Sequence, residues 1–526
     1  MTKTLLHRVG WRDRRRRRII IPVLTGLTRP RSRSAASGRA PPRAASPPRI
    51  IAHAGLFLLL ALSACAHGAR TKTSSPPATI TYSVSGDLER WDVELCFGDA
   101  RPAALLGSES AAERLRDPRD SASGQALELT RGDAPRIDLA NLTGPCLTYG
   151  VDLFGASDGW RQDLRRVDDD LLVDNQLWLW HPPKVASAPR ITVDFSFDGA
   201  RVSSPWEREG EARFVIPLVG LRWRSYTAVG ELDLDTLEVA GAELEIVVMG
   251  GARELTKDGI RRWMKSAGEA VAALYGAFPV PHLQVLIIPT QGYGSPVIFG
   301  LVERGGPAIL LLIDSGAGDD EFIGEWVSIH EFLHLGMPFV QRRDAWLPEG
   351  FVTYYTEVVR ARTGLRSEES AWRALLSGFD RGARDVRGDR SLDDASRSMH
   401  DLHAYSWVYW GGAAVAILSD VALRQASDGS LALDDGLRHL WRCCATSPRR
   451  WTAEDILDEL DRWRGEAWII PLCRRLLATS GFDDLPRLYR KLGVDMVHGD
   501  LTLDGTAALT HLRSAIFAPT STASHQ

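Results

Sequence analysis

Cysteine is scarce, with six residues in 526. None of the six shows zinc-finger spacing, so neither a zinc finger nor a small disulfide-stapled scaffold is written here. No internal repeat is visible, which excludes a solenoid or a propeller. The apolar run Ile50 to Leu62 is shorter than the ~20 residues that a membrane-spanning helix needs. Basic charge is in deficit beyond the N-terminal segment. Residues 1–65 hold fourteen Lys/Arg against one Asp, leaving 49 basic and 66 acidic side chains after them, a net of about −17. The concentrated basic patch, Arg12 and Arg14 to Arg18, belongs to that first segment. Nucleic-acid binding by phosphate neutralisation is therefore excluded for the rest, and the global charge slightly favours cationic substrates, free amino groups included.

What is present at the N-terminus reads as targeting. A Pro/Ser/Arg-rich stretch from Pro30 to Arg49 precedes the apolar run, which ends in Leu62-Ser63-Ala64-Cys65. That tetrapeptide resembles the lipobox of bacterial lipoproteins, which implies cleavage before Cys65 and diacylation of that residue. On that reading the first fifty or so residues are an over-long gene start or an unusual signal n-region, and a transmembrane anchor is the competing reading. The implied place is a bacterial cell envelope, lipid-anchored and periplasmic or outer-membrane associated. Ala66, which is not an Asp, tilts this outward.

The remaining length suffices for two or three domains with buried cores. Residues 66–77 read as a linker and 78–250 as a β-rich, sandwich-like domain. Short alternating or β-branched runs carry that reading: Thr79 to Ser85, Trp91 to Cys96, Leu147 to Phe154, Ile191 to Phe197, Ala212 to Ile216 and Ala242 to Val248. Residues 251–350 open with a helix whose apolar face is Ile260, Trp263, Met264, Ala267, Val271 and Leu274, followed by strands His282 to Pro289 and Pro307 to Asp314. Residues 351–497 have helical periodicity, and 498–526 read as an appendage and loose tail. The fold class is thus multidomain α+β. In an exported compartment, Cys96 with Cys146, and Cys473 with either Cys443 or Cys444, are the pairings left open, and all are read as structural.

The chemistry lies in His330-Glu331-Phe332-Leu333-His334 and in Trp346-Leu347-Pro348-Glu349-Gly350-Phe351. Residues four apart share a helix face, so His330 and His334 can bind one ion from the same side while Glu331 sits beside it. Catalytic zinc takes three protein ligands and keeps an open position, and two histidines with one carboxylate form such a set. Glu349 is the natural third ligand. It opens a second helical pattern that a turn through Gly336-Met337-Pro338 folds back. Glu-Gly before an aromatic helix is hard to explain by packing.

Together these two motifs resemble the gluzincin peptidases, and within them the aminopeptidase N and glycyl aminopeptidase families, over roughly residues 250 to 495. The resemblance implies a thermolysin-like α/β zinc peptidase domain with an edge strand above the metal, a C-terminal all-α domain and one Zn2+ ion. Tyr409-Trp410-Gly411-Gly412 with Asp420 and Leu423-Arg424 is similar to the family's Y-x-K-G, apolar helix, D-x-x-L-R. Tyr409 then stands at the transition-state tyrosine, with Gly411 where the family has lysine. Gly300-Leu301-Val302-Glu303 resembles the edge-strand motif G-x-M-E-N, which implies that Gly300 and Glu303 bind substrate and that Glu303 holds its α-amino group. Arg304 replaces the Asn.

The implied reaction is zinc-assisted hydrolysis of a peptide or protein, most simply as an aminopeptidase. Glu331 serves as general base and the Tyr409 hydroxyl donates to the developing oxyanion. Tyr405, Tyr354 and Tyr355 are rival donors, and Glu303 is alternatively a solvated charge. An endopeptidase, or a surface lipoprotein that keeps the fold as a binding module, are the other readings.

Overall fold

In the computed structural model the chain is described over residues 79–98, 101–155, 163–184, 189–250, 253–291, 294–386, 390–497 and 500–519. Cys65 and the apolar run before it lie outside these. The N-terminal part is built from strands in which alternate side chains are buried, as in Arg90–Phe97, where Trp91, Val93, Leu95 and Phe97 point inward. Seven strands form one sheet in the order Glu207–Arg208, Arg213–Val215, Arg190–Phe197, Thr79–Gly86, Arg90–Phe97, Cys146–Asp152, Leu115–Asp120. Cys96 faces Cys146 across neighbouring strands, and the two form a disulfide. Four further strands, Arg201–Ser203, Tyr226–Gly230, Asp170–Asp174 and Leu164–Val167, make a second sheet. Both sheets contribute to one core, which includes Tyr82, Trp91, Trp178 and Phe195 from around the first and Leu171, Val173 and Val229 from the second.

The second sheet is covered on its other face too. Leu172, Tyr226 and Ala228 turn away from that core and meet Val247, Leu286, Ile288, Leu310 and Leu312 of a five-stranded sheet. This third sheet runs in the order Asp233–Val239, Ala242–Val248, His282–Thr290, Ala308–Asp314, Val297–Glu303, with the last strand antiparallel at the edge. Its opposite face, including Ile246, Val285, Ile287, Ile309 and Leu311, packs on helices. Among them is Lys257–Tyr275, capped by the Thr256 hydroxyl, which accepts from the Gly259 N–H at 3.0 Å.

The rest of the described chain is mostly helical. One hydrophobic core runs from Val239 to Phe517, so the sheet's helical face and the C-terminal helices are packed as one body. Helix Tyr405–Ala426 is long and apolar because it runs through this core, where Val415, Ala416 and Ile417 are buried. The described part of the expected loose tail, residues 500–519, is ordered. Asp500–Leu503 pairs with Val494–Val497, and helix Thr510–Phe517 buries Leu512, Ile516 and Phe517, the last edge-on to Trp372 at 5.4 Å. The expected bridge from Cys473 is also absent: its thiol is buried toward Ser419 of the long helix, and Cys443 and Cys444 pair with each other.

Candidate active site

The motif helix, Trp326–His334, is fixed at both ends. Glu325 caps it by accepting from the Val327 and Ser328 N–H groups, each at 2.7 Å, and buried Trp263 donates its indole N–H to Ser328 Oγ at 3.0 Å. In the last turn, the Tyr275 hydroxyl donates to the Leu333 carbonyl at 3.0 Å. Held this way, the four-residue spacing brings His330 and His334 to one side with their Nε2 atoms 3.2 Å apart. His330 Nδ1 is buried with no hydrogen-bond partner among the described residues.

The next helix supplies the third donor. It begins at Trp346, one turn before the expected start at Glu349, because the Trp346 N–H is held by Ser396 Oγ, which in turn donates to the Arg343 carbonyl. Glu349 therefore lies in the first turn, where the helix dipole favours a carboxylate. Its Oε2 is 3.3 Å from His330 Nε2 and 3.4 Å from His334 Nε2. Donors bonded to one tetrahedral zinc at about 2.0–2.1 Å stand about 3.3 Å from one another. The triangle of 3.2, 3.3 and 3.4 Å is that size, so the donor set fits one zinc ion. Burial alone would raise the Glu349 carboxyl, but the charges and hydrogen bonds of His334 and His330 hold it well below the usual carboxylate range.

Gly350 has a packing explanation that its sequence context did not suggest. The helices Trp346–Arg362 and Tyr405–Ala426 cross with backbones touching at Gly350 and Gly412. A Cβ at Gly412 would lie 2.8 Å from Gly350 Cα and nearer still to the Trp346 carbonyl oxygen. This crossing sets Tyr409, nearly one turn before Gly412, over the donor triangle of His330, His334 and Glu349. Its ring lies parallel to that of His330 at an 8° tilt and 6.0 Å, and its hydroxyl hydrogen-bonds the Glu349 carboxylate. Burial, then Glu349 and Glu331, push the Tyr409 hydroxyl well above its ordinary pKa, so it remains a proton donor. Two rival tyrosines are engaged elsewhere: Tyr354 donates to Asp420 at 2.9 Å and Tyr355 to Asp434 at 2.8 Å. Tyr405 hydrogen-bonds His400 at 3.3 Å.

The edge strand closes the site from above. A Cβ at Gly300 would stand 2.9 Å from Val327 Cγ1 and 3.1 Å from Glu331 Cδ, so only glycine lets the strand approach the base this closely. Glu331 accepts from the Val302 N–H, and its burial pushes the carboxyl up to about 7, against the lowering pull of His330. Side chains alternate along a strand, so Gly300 and Val302 share the face toward Glu331, while Leu301 and Glu303 face the N-terminal part, and Arg304 is the first residue of the turn that follows. Glu303 is accordingly buried, 5% exposed, with Oε1 lacking a hydrogen-bond partner among the described residues. Burial pushes its carboxyl up to about 8 against the opposing charge of Arg224. The structure thus gathers His330, Glu331, His334, Glu349, Tyr409 and Gly300, and sets Glu303 behind the strand. Arg304 had registered in the sequence only as a departure from a motif. Its guanidinium feels Glu331 and Glu349 most strongly among the neighbouring charges.

Neither a family model nor a curated protein matches the chain. Solved structures do. An aminopeptidase N family protein from Idiomarina loihiensis superposes with a TM-score of 0.60 at 17% identity, covering 79% of this chain and 78% of its own. The chain has the aminopeptidase N fold. An M1 zinc metallopeptidase from Deinococcus radiodurans gives a TM-score of 0.48 at 17% identity over 76% of this chain and 92% of its own. Yeast LTA4 hydrolase gives 0.47 at 11% identity over 79% and 70%. At these identities the aminopeptidase N likeness is one of fold, a mixed α/β body with several sheets and a helical C-terminal region.

Proposed function

We propose that this protein is a zinc-dependent peptidase, most simply an aminopeptidase. The observation that carries the reading is the triangle of His330, His334 and Glu349 with Glu331 and Tyr409 beside it. Zinc bound there would supply Lewis acidity to the scissile carbonyl and to the attacking water. Glu331, buried and lifted toward neutrality, is poised to take that water's proton and return it to the leaving amine. The Tyr409 hydroxyl donates to the oxyanion as it develops, a contribution of about 3 kcal/mol for a preorganised donor. Gly300 lets the edge strand lie directly against Glu331.

The shared fold supports aminopeptidase action. The burial of Glu303 behind the strand favours a second reading, endopeptidase action without an amine anchor. The discriminating experiment measures zinc by elemental analysis together with hydrolysis of free and N-acetylated peptide libraries, with Glu331→Gln as control. Cleavage confined to free N-termini supports the aminopeptidase, and cleavage of blocked peptides supports the endopeptidase. Stoichiometric zinc without Glu331-dependent cleavage supports a binding module, and no zinc after metal repletion refutes the site. We also propose lipid anchoring to the cell envelope through Cys65. Mass spectrometry should find the diacyl group there, and Cys65→Ala should release the protein from membranes.

A further inference from the structure

Arg362 and Arg424 are matched to carboxylates, Asp434 and Asp420. Arg304 and Arg450 differ: among the described residues neither has a carboxylate within ion-pair distance. Both rest instead on the same aromatic ring, with guanidinium carbons 5.1 Å (Arg304) and 4.9 Å (Arg450) from the Phe339 centroid. Arg450 also lies over Trp223 at 4.6 Å, and Trp223 stands edge-on to Phe339 at 5.1 Å. Backbone hydrogen bonds fix this corner. The Trp451 N–H donates to the Phe339 carbonyl at 2.7 Å and the Gln341 N–H to the Trp451 carbonyl at 2.8 Å. The Arg304 and Gly305 N–H groups both donate to the Arg224 carbonyl, at 3.2 and 2.7 Å. Four segments remote in sequence therefore hold two cations against one aromatic corner.

The corner adjoins the catalytic groups, since Phe339 follows the motif helix by five residues and Arg304, the first residue after the edge strand, feels the charges of Glu331 and Glu349. Its charge is undercompensated. Burial, against the pull of Glu331 and Glu349, holds the Arg304 guanidinium down to about 10, and Arg450 is lowered by burial and by the like charge of Arg342. A dication in the triad would balance Glu331 and Glu349, leaving Glu303, whose carboxyl burial pushes up to about 8, as the other acid that Arg304 feels. In a chain whose remainder is acidic, such a local reversal focuses anions at this one place. Guanidinium groups stacked on aromatic rings keep their donor edges free for a carboxylate.

We propose that Arg304 and Arg450, held on Phe339 and Trp223, form a carboxylate-binding subsite beside the metal centre, and that the peptides acted on carry an acidic group there. The substrate class rests on the peptidase reading. The carboxylate is that of an Asp or Glu side chain or of a free C-terminus.

The test uses the full chain with short peptides matched in pairs, Glu against Gln at each position, each with a free or amidated C-terminus. Rates are measured on the zinc-loaded protein, and binding by calorimetry on Glu331→Gln. The expected result is a preference of about tenfold or more for the carboxylate-bearing member, in both rate and binding. Arg304→Gln and Arg450→Gln should each bring the ratio toward one, and Arg304→Lys should restore part of it. Arg450 is exposed, so Arg450→Glu is a second, fold-sparing variant that should invert the preference. A preference that follows Glu against Gln identifies a side chain, and one lost on amidation identifies the C-terminus. Equal handling of each pair by the unaltered protein, or a preference that survives all these variants, overturns the subsite. Arginine-dependent binding without hydrolysis upholds the subsite and removes the peptidase reading. Hydrolysis blind to charge does the reverse.

Discussion

Gly411 and Gly412 are adjacent, lie in one helix and gain the same helix propensity on substitution by alanine, about 1 kcal/mol. Their surroundings are opposite in kind. A Cβ at Gly411 would meet Leu392 Cδ1 at 2.7 Å, the free end of a flexible side chain. A Cβ at Gly412 would meet backbone only: Gly350 Cα at 2.8 Å, the Trp346 carbonyl carbon at 2.9 Å and its oxygen closer still. Ordinary contact would require the two helices to part by about 1.5 Å, and overpacking of this kind costs roughly 1–3 kcal/mol. Because the propensity gain cancels between the two variants, Gly412→Ala should be about 2 kcal/mol less stable than Gly411→Ala in chemical denaturation. The separation also moves Tyr409 away from His330 and Glu349. An ångström of misplacement at a reacting centre costs up to about 100-fold in rate, so kcat/KM at saturating zinc should fall far more for Gly412→Ala than for its neighbour. If the two alanines behave alike in stability and rate, the crossing does not set the tyrosine and the geometry proposed for the oxyanion donor is refuted.

Three further outcomes are expected. Glu331→Gln should lose about 10²–10⁴-fold in kcat while retaining one zinc per chain by elemental analysis; loss of zinc with it would make Glu331 a ligand rather than a base. Carboxyl groups raised by burial, Glu303 to about 8 and Asp174 to about 7, hold protons in the folded state that the unfolded chain releases near pH 4. Stability should therefore decline as pH rises from about 4 to about 8, and Glu303→Gln should flatten the decline in pH-resolved melts; an unchanged slope would place the cause elsewhere. Arg362→Ala leaves Asp434 buried with its principal ion pair, at 2.5 Å, removed. It should cost about 3–5 kcal/mol by denaturation, and a loss under about 1 kcal/mol would show that Arg424 and Arg438 suffice.

Strands with one buried face were legible in the sequence. Arg90–Phe97 and Arg190–Phe197 sit within a residue or two of their expected bounds, because alternation marks a half-buried strand. Asp170–Asp174 and Tyr226–Gly230 were not read, and every residue in both is buried. They lie between two other sheets, and burial on both faces erases the period of two. The C-terminal hairpin and helix escaped for another reason. What orders them is tertiary: the Arg362 guanidinium donating to the Ile516 carbonyl at 2.9 Å, and Arg513 donating to the carbonyls of Leu492, Gly493 and Asp504.

At the site, spacing along a helix made the juxtaposition of His330 and His334 legible, because i and i+4 determine a face without further information. An edge strand offers no such certainty. Gly300 to Arg304 is compatible with either phase, and a phase shift by one residue exchanges the side chains that face the metal for those that face the neighbouring sheet. Matching the motif letter by letter selects Glu303. The contacts select the other set: Gly300 against Glu331, Phe299 against the core toward the N-terminal sheets, Glu303 beside Arg224, and Arg304 beside Glu331 and Glu349. The chemistry of the cleft follows from that phase. With Glu303 forward, the site would gain an anion suited to a free amine. With Arg304 forward it gains a cation, and the same zinc triad would then sort substrates by carboxylate. One measurement separates the two: the sign of the charge that accelerates cleavage.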